Sequence, residues 1–347
     1  MKIALLAPFE ESVPPIKYGG TEIIVSYLSN MLVQKGHKVF LFATGDSKTP
    51  ANLIPIFPRA IRKEPYASDL KTRDAVKYIG IGKLVKELKK LNIDIIHNHI
   101  GWRFLPFISF FSTPTITTLH GSLNVGYQKF VYSRFKKCNF VSISNSQRKP
   151  LPALNYIANV YNGIDIKNLK FNNSPKDYFA FLGRMSPEKG PVQAIQIAKA
   201  SGVKLKMAAK VDAVDADFFK KKVKPLIDNK QIEFLGEIAQ SKKNEFLRNA
   251  RGLIAPIQWE EPFGLFFIEA MACGTPVITL KRGSAIEVIK NGESGFVSNN
   301  ISDAIKAVKN VNKIKRENCR KWVEENFTVE RMVENYEKVY QEILKKY

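Results

Sequence analysis

The chain has 347 residues, of which 45% are hydrophobic and 25% are charged, as in an ordinary globular protein. At roughly 100–200 residues per domain, this length predicts two domains. The three scattered cysteines (Cys138, Cys273 and Cys319) lack CxxC spacing, which argues against disulfides and zinc and fits a reducing cytoplasm.

The formal net charge is +22, and the N-terminal half is the more basic one. Residues 1–170 hold 24 Lys and Arg against 10 Asp and Glu, whereas residues 171–347 hold 30 against 22. This charge has two explanations. It can belong to a lysine-rich solvated surface, or it can serve to bind a partner, either an anionic membrane surface or an acidic acceptor. Nucleic acid is disfavoured, because the chain has no zinc-finger spacing, aromatic RNA-binding signature or recognition helix.

The N-terminus predicts a buried strand, because its apolar run is too short for a signal peptide and acids follow it at once. The longest apolar stretch, from Trp102 to Leu119, contains Arg103, two prolines and several hydroxyls, so it is a poor membrane span. We therefore expect a cytoplasmic protein that meets a membrane, if at all, as a peripheral protein on its inner face.

The first half of the chain alternates apolar runs of strand length with helical patterns. A loop rich in Pro and Gly, Pro8–Gly20, separates the first strand from a helix through Ile23–Met31 that Gly36 stops. Leu84–Leu91 is an amphipathic helix. The predicted strands are Lys2–Ala7, Val39–Ala43, Ile93–His97, Thr115–Leu119 and Phe140–Ser144.

The pattern restarts after the polar stretch Asn172–Asp177. The predicted strands are Phe179–Leu182, Val203–Ala208, Gln231–Leu235, Leu253–Ala255 and Val277–Thr279. The predicted helices are Glu188–Ser201, residues 215–228, 241–250 and 264–273, and a last helix from Val329 to Lys346. Such alternation predicts parallel sheets covered by helices, and hence two α/β domains, residues 1–168 and 169–327, followed by a C-terminal helix at 328–347.

The sharpest motif is Glu261-Pro-Phe-Gly-Leu-Phe-Phe-Ile-Glu269, which places two acids eight residues apart across a loop-to-helix junction. Gly264 allows a ligand close to the backbone, and the free amides at the helix start form a natural phosphate site. Glu261 can accept hydrogen bonds from sugar hydroxyls, and Glu269 can accept a pair from a ribose diol. For the pair of acids alone, a capped helix with two surface carboxylates is the alternative.

This string resembles the retaining glycosyltransferases of family 4, and agreeing segments extend over essentially the whole chain. The resemblance implies the α/β GT-B fold, in which two Rossmann-like domains with parallel sheets face a central cleft. It implies that the second domain binds a nucleotide-sugar through residues that include Phe263, Gly264 and Leu265. It also implies that the first domain binds the acceptor, and that the last helix crosses back onto the first domain.

Two further segments are expected at the donor diphosphate. Tyr18-Gly-Gly-Thr-Glu22 resembles the family's glycine loop, in which Gly19 and Gly20 bring backbone amides to the phosphates; a plain turn is the alternative. Gly183-Arg-Met-Ser-Pro-Glu-Lys-Gly190 lies between a strand and a helix, so Arg184 and Lys189 can clamp the diphosphate and stabilise the leaving group. Two exposed loop cations are the alternative.

The histidines give a weaker signal. Thr118-Leu-His-Gly-Ser122 resembles the family's histidine motif, in which His120 lies by the donor sugar and its phosphate. A satisfied structural histidine is the alternative. His97 and His99 have a spacing that suits a metal, but no acidic or Cys partner follows nearby, so we favour a structural or cleft-lining role.

One segment departs from the family pattern. Where the family often has two glycines before a Pro-Glu pair, this chain has Arg282-Gly-Ser-Ala-Ile-Glu287, with Ser284 and Ile286 at those places. The match is looser there, although no proposed catalytic group is lost.

The resemblance implies a hexosyltransferase that retains anomeric configuration and needs no cofactor or metal, because no Asp-x-Asp motif lies where the phosphates would be. A UDP-hexose such as UDP-glucose is the favoured donor, with GDP-mannose next. The acceptor is not readable, although the basic first domain favours an anionic or membrane-bound one. The alternatives are a GT-B sugar-nucleotide epimerase or phosphorylase, and a non-catalytic sugar-nucleotide-binding protein.

Overall fold

The structure is a computed structural model that describes residues 1–16 and 19–347. The chain divides into two units, of which the first combines Met1–Gly163 with Val329–Tyr347 and the second is Ile164–Thr328. The first unit thus ends a few residues before the boundary predicted at 168, and it includes the last helix.

Over the described residues, the first unit contains a seven-stranded parallel sheet. Its order is β3-β2-β1-β4-β5-β6-β7, so the winding direction reverses between β1 and β4. Ligands of such sheets bind outside the carboxyl ends of the strands, at the reversal. The strands are β1 (Lys2–Leu6), β2 (Lys38–Thr44), β3 (Asn52–Phe57), β4 (Ile95–Asn98), β5 (Thr115–Leu119), β6 (Asn139–Ser142) and β7 (Tyr156–Asn159).

The helices of the first unit differ in how much of their surface they bury, from the apolar face of α1 to a single residue of α3. In α1, Ile24, Leu28 and Leu32 are buried because they recur every fourth residue, and Gly36, at φ +84°, ends the helix in the left-handed region. The helices are α1 (Gly20–Gln34), α2 (Leu70–Leu88), α3 (Gly126–Arg134) and the C-terminal helix (Val329–Leu344), and a run of 3-10 turns spans Gly101–Phe110.

The C-terminal helix belongs to the core of the first unit. It packs against α1 and buries Tyr336 and Tyr340 completely. Because these tyrosines are four residues apart, they lie on one face of the helix and reach the sheet together.

The second unit contains a six-stranded parallel sheet in the order β10-β9-β8-β11-β12-β13, with its reversal between β8 and β11. Its strands are β8 (Phe179–Arg184), β9 (Leu205–Lys210), β10 (Ile232–Gly236), β11 (Leu253–Ala255), β12 (Val277–Leu280) and β13 (Gly295–Ser298). Its helices are α4 (Pro191–Ser201), α5 (Ala216–Phe218), α6 (Gln240–Arg248), α7 (Leu265–Ala272), α8 (Ala285–Val288), α9 (Ile301–Lys309) and α10 (Arg316–Asn326). The expected pair of Rossmann-like sheets is therefore confirmed.

Some predicted elements differ from the structure. The strands β3, β7 and β13 were not predicted, and the helix predicted over residues 215–228 is broken into α5, a π-helical turn at Phe219–Val223 and a 3-10 turn at Lys224–Leu226. Pro225 accounts for the last break, because proline removes a helical hydrogen bond. None of the described helices has the length and apolar character needed to cross a bilayer.

Candidate functional site

Two loops meet at the winding reversal of the second sheet. One follows β8 and leads into α4, and the other follows β11 and leads into α7. They are joined by the backbone, because the amide of Gln258 donates to the carbonyl of Glu188 at 2.8 Å. Gly190, at φ +70°, is needed for this approach, since a Cβ there would lie 2.2 Å from the carbonyl oxygen of Pro256.

The loop after β11 ends in a glycine that starts α7. Gly264, at φ +79°, precedes Leu265, the first residue of the helix, and has no side chain with which to cap it. The first amides of α7 are thus directed beyond the helix start, where an anion is favoured. Phe263, just before them, is buried and contacts Phe327 edge-on at 5.8 Å between ring centroids.

Lys189 and Glu261 form an ion pair between the two loops. The ammonium of Lys189 donates to Oε2 of Glu261, and Trp259 donates its indole N–H to the same oxygen at 2.9 Å. Both charged side chains are about one-tenth exposed. The ammonium also lies 5.0 Å from the ring centre of Phe266, in the first turn of α7. One cation, one acid and a helix start are therefore brought together.

Arg184, the last residue of β8, lies in a more acidic setting. Its guanidinium donates to Glu188, and it lies 3.8 Å from Asp212 and 4.0 Å from Asp215. Burial raises the pKa of Asp215 above its ordinary value, although the positive charge of Arg184 opposes that rise. Both predicted clamp cations therefore have carboxylate partners in this structure.

Glu269 lies within α7, where Lys243 of α6 donates to its Oε1 at 2.5 Å. Both side chains are less than one-fifth exposed. The lysine was not identified from the sequence, because α6 and α7 come together only in the folded unit. The predicted ribose-binding acid is thus an ion-paired residue in the described chain.

The segment that departs from the family pattern supports the loop of Glu261. The amide of Ser284 donates to the carbonyl of Glu261 at 2.9 Å, and its hydroxyl donates to the carbonyl of Phe263 at 2.8 Å. Gly283 passes so close that a Cβ there would lie 2.3 Å from the carbonyl oxygen of Glu261. The hydroxyl bond to Phe263 is a contact that a glycine could not make.

In the first unit, three histidines lie side by side at the ends of β4 and β5. The ring centroids of His97 and His99 lie 3.9 Å apart, and Nδ1 of His99 lies 2.8 Å from Nε2 of His120. Burial lowers the pKa of His120 to about 4, and burial with neighbouring histidines holds the pKa values of His97 and His99 well below their ordinary range. All three rings are therefore neutral at pH 7.

The C-terminal helix completes this cluster. His97 contacts the hydroxyl of Tyr340 and that of Thr118, each at 2.7 Å, and Thr118 contacts the hydroxyl of Tyr336 at 3.0 Å. His97 is thus buried, with a hydroxyl partner at each ring nitrogen. In the sequence, the only signal for these two tyrosines is their helical spacing, because more than 200 residues separate them from β4.

The predicted glycine loop lies at the start of α1. Gly19 precedes the helix and Gly20 is its first residue, whereas Tyr18 of the same motif lies outside the described residues. Glu22, in the first turn, is almost completely buried, and burial raises the pKa of its carboxyl to about 7. The sequence prediction gave this acid no role.

Seven of the predicted site residues lie in the second unit, and His120, Gly19 and Gly20 lie in the first. The seven are Arg184, Lys189, Glu261, Phe263, Gly264, Leu265 and Glu269. No group of three metal-ligating side chains placed to hold an ion occurs among the residues that the structure describes.

Two family models match the chain in succession. The model described as Glycosyltransferase Family 4 matches residues 18–168, and the model described as Glycosyl transferases group 1 matches residues 165–329. An N-acetyl-alpha-D-glucosaminyl L-malate synthase of Bacillus anthracis is 26% identical over 379 residues, covering 94% of this chain and 95% of the relative. An uncharacterized glycosyltransferase of Methanocaldococcus jannaschii is 27% identical over 290 residues, covering 76% and 79%.

Solved structures share the fold. The sucrose-phosphate synthase of Thermosynechococcus elongatus superposes with a TM-score of 0.79 at 18% identity, and each chain is covered completely. HepE of Anabaena, in complex with UDP and glucose, superposes with a TM-score of 0.73 at 19% identity, covering 99% of this chain and all of the other. On the two family models, the relatives and the fold, this chain belongs to the family 4 type of GT-B glycosyltransferases and is an enzyme that transfers sugar.

Proposed function

We propose that the protein moves a hexosyl group from a nucleoside diphosphate hexose to an acceptor hydroxyl, without a metal and with retention of anomeric configuration. The observation that supports this most is the position of the Lys189 ammonium, 5.0 Å from the ring of Phe266 at the start of α7. A diphosphate placed there meets a cation and free helix amides together. Arg184, at the end of the strand that leads into the loop of Lys189, supplies the second cation.

In the proposed reaction, the acceptor oxygen forms a bond to the anomeric carbon as the bond from that carbon to the diphosphate oxygen breaks. The nucleoside diphosphate leaves with the bonding electron pair, and one of its phosphate oxygens takes the acceptor proton. Negative charge grows on the leaving group, so Lys189, Arg184 and the amides of α7 act most strongly in the transition state. Attack from the face that the leaving group vacates retains the configuration.

Glu261 has two roles in this proposal. Its Oε2 receives the bonds from Lys189 and Trp259, which fix the carboxylate and the ammonium relative to each other. We assign Oε1 to the sugar hydroxyls, because the hydrogen bonds from Lys189 and Trp259 both end on Oε2. A fixed acceptor of this kind orients the sugar without a dedicated carboxylate base.

Glu269 is proposed to accept the ribose diol. Lys243 contacts Oε1 of this carboxylate and holds it in one position, so Oε2 is the oxygen that faces the nucleoside in this assignment. On the family resemblance, we also assign Phe263, Gly264 and Leu265 to the donor, together with His120, Gly19 and Gly20 of the first unit.

We propose a UDP-hexose such as UDP-glucose as the donor, with GDP-mannose as the second candidate. The HepE structure was solved in complex with UDP and glucose, and its similarity to this chain supports this order. An anionic or membrane-bound acceptor is supported by the net charge of +22. The proposed setting is cytoplasmic, with peripheral contact at the inner face of a membrane.

The donor is tested by thermal shift with nucleoside diphosphates and their sugars, because a ligand of the folded state raises the melting temperature. We expect UDP and a UDP-hexose to raise it in the presence of EDTA. A shift that requires a divalent cation would contradict metal independence, and a shift with GDP-mannose alone would replace the favoured donor.

Transfer is tested with labelled donor and product analysis. Arg184→Ala and Lys189→Ala should each cut turnover by orders of magnitude, whereas Lys199→Ala, on the exposed side of α4, should leave it unchanged. Full activity in both loop variants would disprove the phosphate clamp. An epimerised nucleotide-sugar, a sugar phosphate, or donor binding without turnover would instead indicate the epimerase, the phosphorylase or the non-catalytic protein.

A further inference from the structure

The helix α3 exposes apolar side chains instead of burying them. Tyr132 is the one residue of this described helix that lies in the core. Tyr127 is 56% exposed and Phe130 is 62% exposed, and their three-residue spacing places them on the same outer face. Val125, just before the helix, is 39% exposed. Two large exposed rings on one helix face favour a contact surface.

The stretch of sequence that contains α3 is basic and contains no acidic residues. Residues 95–164 contain seven Lys and Arg and no Asp or Glu. Arg134 ends the helix and its guanidinium lies 4.9 Å from the ring centre of Phe130, while Lys136 and Lys137, both exposed, follow directly. We call Val125, Tyr127, Phe130, Arg134, Lys136 and Lys137 the α3 surface.

Aromatic contacts extend the α3 surface towards α2. The ring of Tyr127 lies 6.3 Å from that of Trp102, which lies 6.4 Å from the ring of Tyr78 on α2. Ile79, beside Tyr78, is 70% exposed. Asp74, on α2, is already paired with Arg103 at 2.6 Å, so it does not cancel the cations of α3.

We propose that the α3 surface docks the protein on an anionic lipid bilayer, with Tyr127 and Phe130 among the headgroups and the cations on lipid phosphates. Tyrosine and lysine or arginine suit the interface between hydrocarbon and water, where each has an apolar and a polar part. A soluble polyanion would use the cations but leave the apolar rings in water. The inference rests on the proposed function, because docking on a bilayer would bring the enzyme to a membrane-bound acceptor.

Binding is tested by sedimentation of the full-length protein with vesicles of phosphatidylcholine, with or without phosphatidylglycerol. We expect binding to the vesicles that contain phosphatidylglycerol, loss of that binding in high salt, and no binding to phosphatidylcholine alone. Equal binding to both vesicle types, or to neither, would overturn the proposal.

Variants locate the surface. Lys136→Glu/Lys137→Glu should weaken vesicle binding by at least about tenfold, whereas the same charge change at Lys220→Glu/Lys222→Glu, on exposed lysines of the second unit, should not. Equal losses in the two pairs would mean that net charge alone decides binding, which would refute docking through α3.

The contribution of the apolar rings to vesicle binding is tested by a second pair of variants. Tyr127→Ser should reduce vesicle affinity severalfold, and Tyr347→Ser, which removes a tyrosine that is 75% exposed, should have no effect. If Tyr127→Ser binds vesicles as the wild type does, while polyphosphate in solution competes fully, the partner is a soluble polyanion and the proposal fails.

The same variants separate this inference from the proposed function. The thermal shift caused by UDP in solution should be unchanged in the α3 variants, because none of their residues is assigned to the donor. A normal UDP shift with no vesicle binding in the wild type rejects the docking surface alone, and vesicle binding without any nucleotide shift rejects the transferase proposal alone.

Discussion

The ammonium of Lys189 and the carboxylate of Glu261, 72 residues apart in the chain, form an ion pair that joins the loop after β8 to the loop after β11. Trp259 and Phe266 enclose the ammonium, with their ring centres 5.5 and 5.0 Å away. Since the pair is mostly shielded from water, each charge depends on the other for its stabilisation. The two groups that we propose to bind the donor are therefore also part of what holds the second unit together.

Removing both partners of this pair should cost less stability than the two single removals added together. Lys189→Met or Glu261→Gln alone leaves a shielded charge or polar group without its partner and should lower the free energy of unfolding by about 3 kcal/mol. The double variant Lys189→Met/Glu261→Gln should cost less than the two single variants added together. Urea unfolding at pH 7 measures all four proteins, and additive losses would count against coupling of the pair.

Gly283→Ala should disturb the position of Glu261. A Cβ at this residue would lie 2.3 Å from the carbonyl oxygen of Glu261, so the backbone of the loop must move. We expect kcat/KM for transfer to fall by about a hundredfold, as a displacement of roughly 1 Å in a catalytic group can cause.

Gly292→Ala is the matched control for that change. Gly292 also has a positive φ, +81°, but nothing lies within 4 Å of a Cβ built there. It should show the backbone strain of alanine in the left-handed region, about 1–2 kcal/mol, without a loss of kcat/KM. Equal kinetic losses in both variants would show that strain, rather than contact with Glu261, is responsible.

The histidine cluster should make the protein sensitive to acid. The pKa of His120 in the folded state, about 4, is below its ordinary value of 6.5, so the unfolded chain takes up protons first as the pH falls. The stability contributed by the neutral ring is present above pH 6.5 and is lost as the pH falls towards 4, by about 3 kcal/mol for this residue. In His120→Asn, the free energy of unfolding should fall less steeply between pH 7.5 and pH 4.5 than in the wild type, as measured by urea unfolding. An equal dependence on pH in the two proteins would contradict the lowered pKa of His120.

Glu22 should act in the opposite pH direction. Burial raises its pKa from the ordinary 4.5 to about 7, so the folded state keeps a proton that the unfolded chain releases. Stability therefore falls as the pH rises from 4.5 to 7, and above pH 7 the buried charge costs up to about 3 kcal/mol. Glu22→Gln should be more stable than the wild type at pH 8 and similar to it at pH 4.5. Equal stability of both proteins at pH 8 would contradict the shift.

The strands that sequence reasoning missed have a common cause. β3, β7 and β13 are all edge strands, and their residues are mostly half-buried rather than fully buried. An apolar run marks a strand that is covered on both faces and flanked on both sides, as β1 is. Edge strands carry polar residues and, in β3, Pro55, which weakens that signal.

In the candidate site, the contacts between elements that are distant in the chain could not be predicted from the sequence. Lys189 and Glu261 could each be assigned to the donor from their local motifs, because a strand, a glycine loop and a helix start follow one another in the sequence. Their ion pair could not, since it depends on how the two loops approach each other. Lys243 beside Glu269 and Tyr340 beside His97 are likewise contacts between elements distant in the chain.

Because the first unit is assembled from both ends of the chain, the order of synthesis sets the order in which the two units can finish folding. Ile164–Thr328 leaves the ribosome as one uninterrupted segment and can close its core at once. The earlier segment, Met1–Gly163, must wait for Tyr336 and Tyr340, which partner Thr118 and His97. A chain that ends before residue 329 would thus lack both tyrosine partners of His97 and Thr118, and these polar side chains of β4 and β5 would be open to quality control.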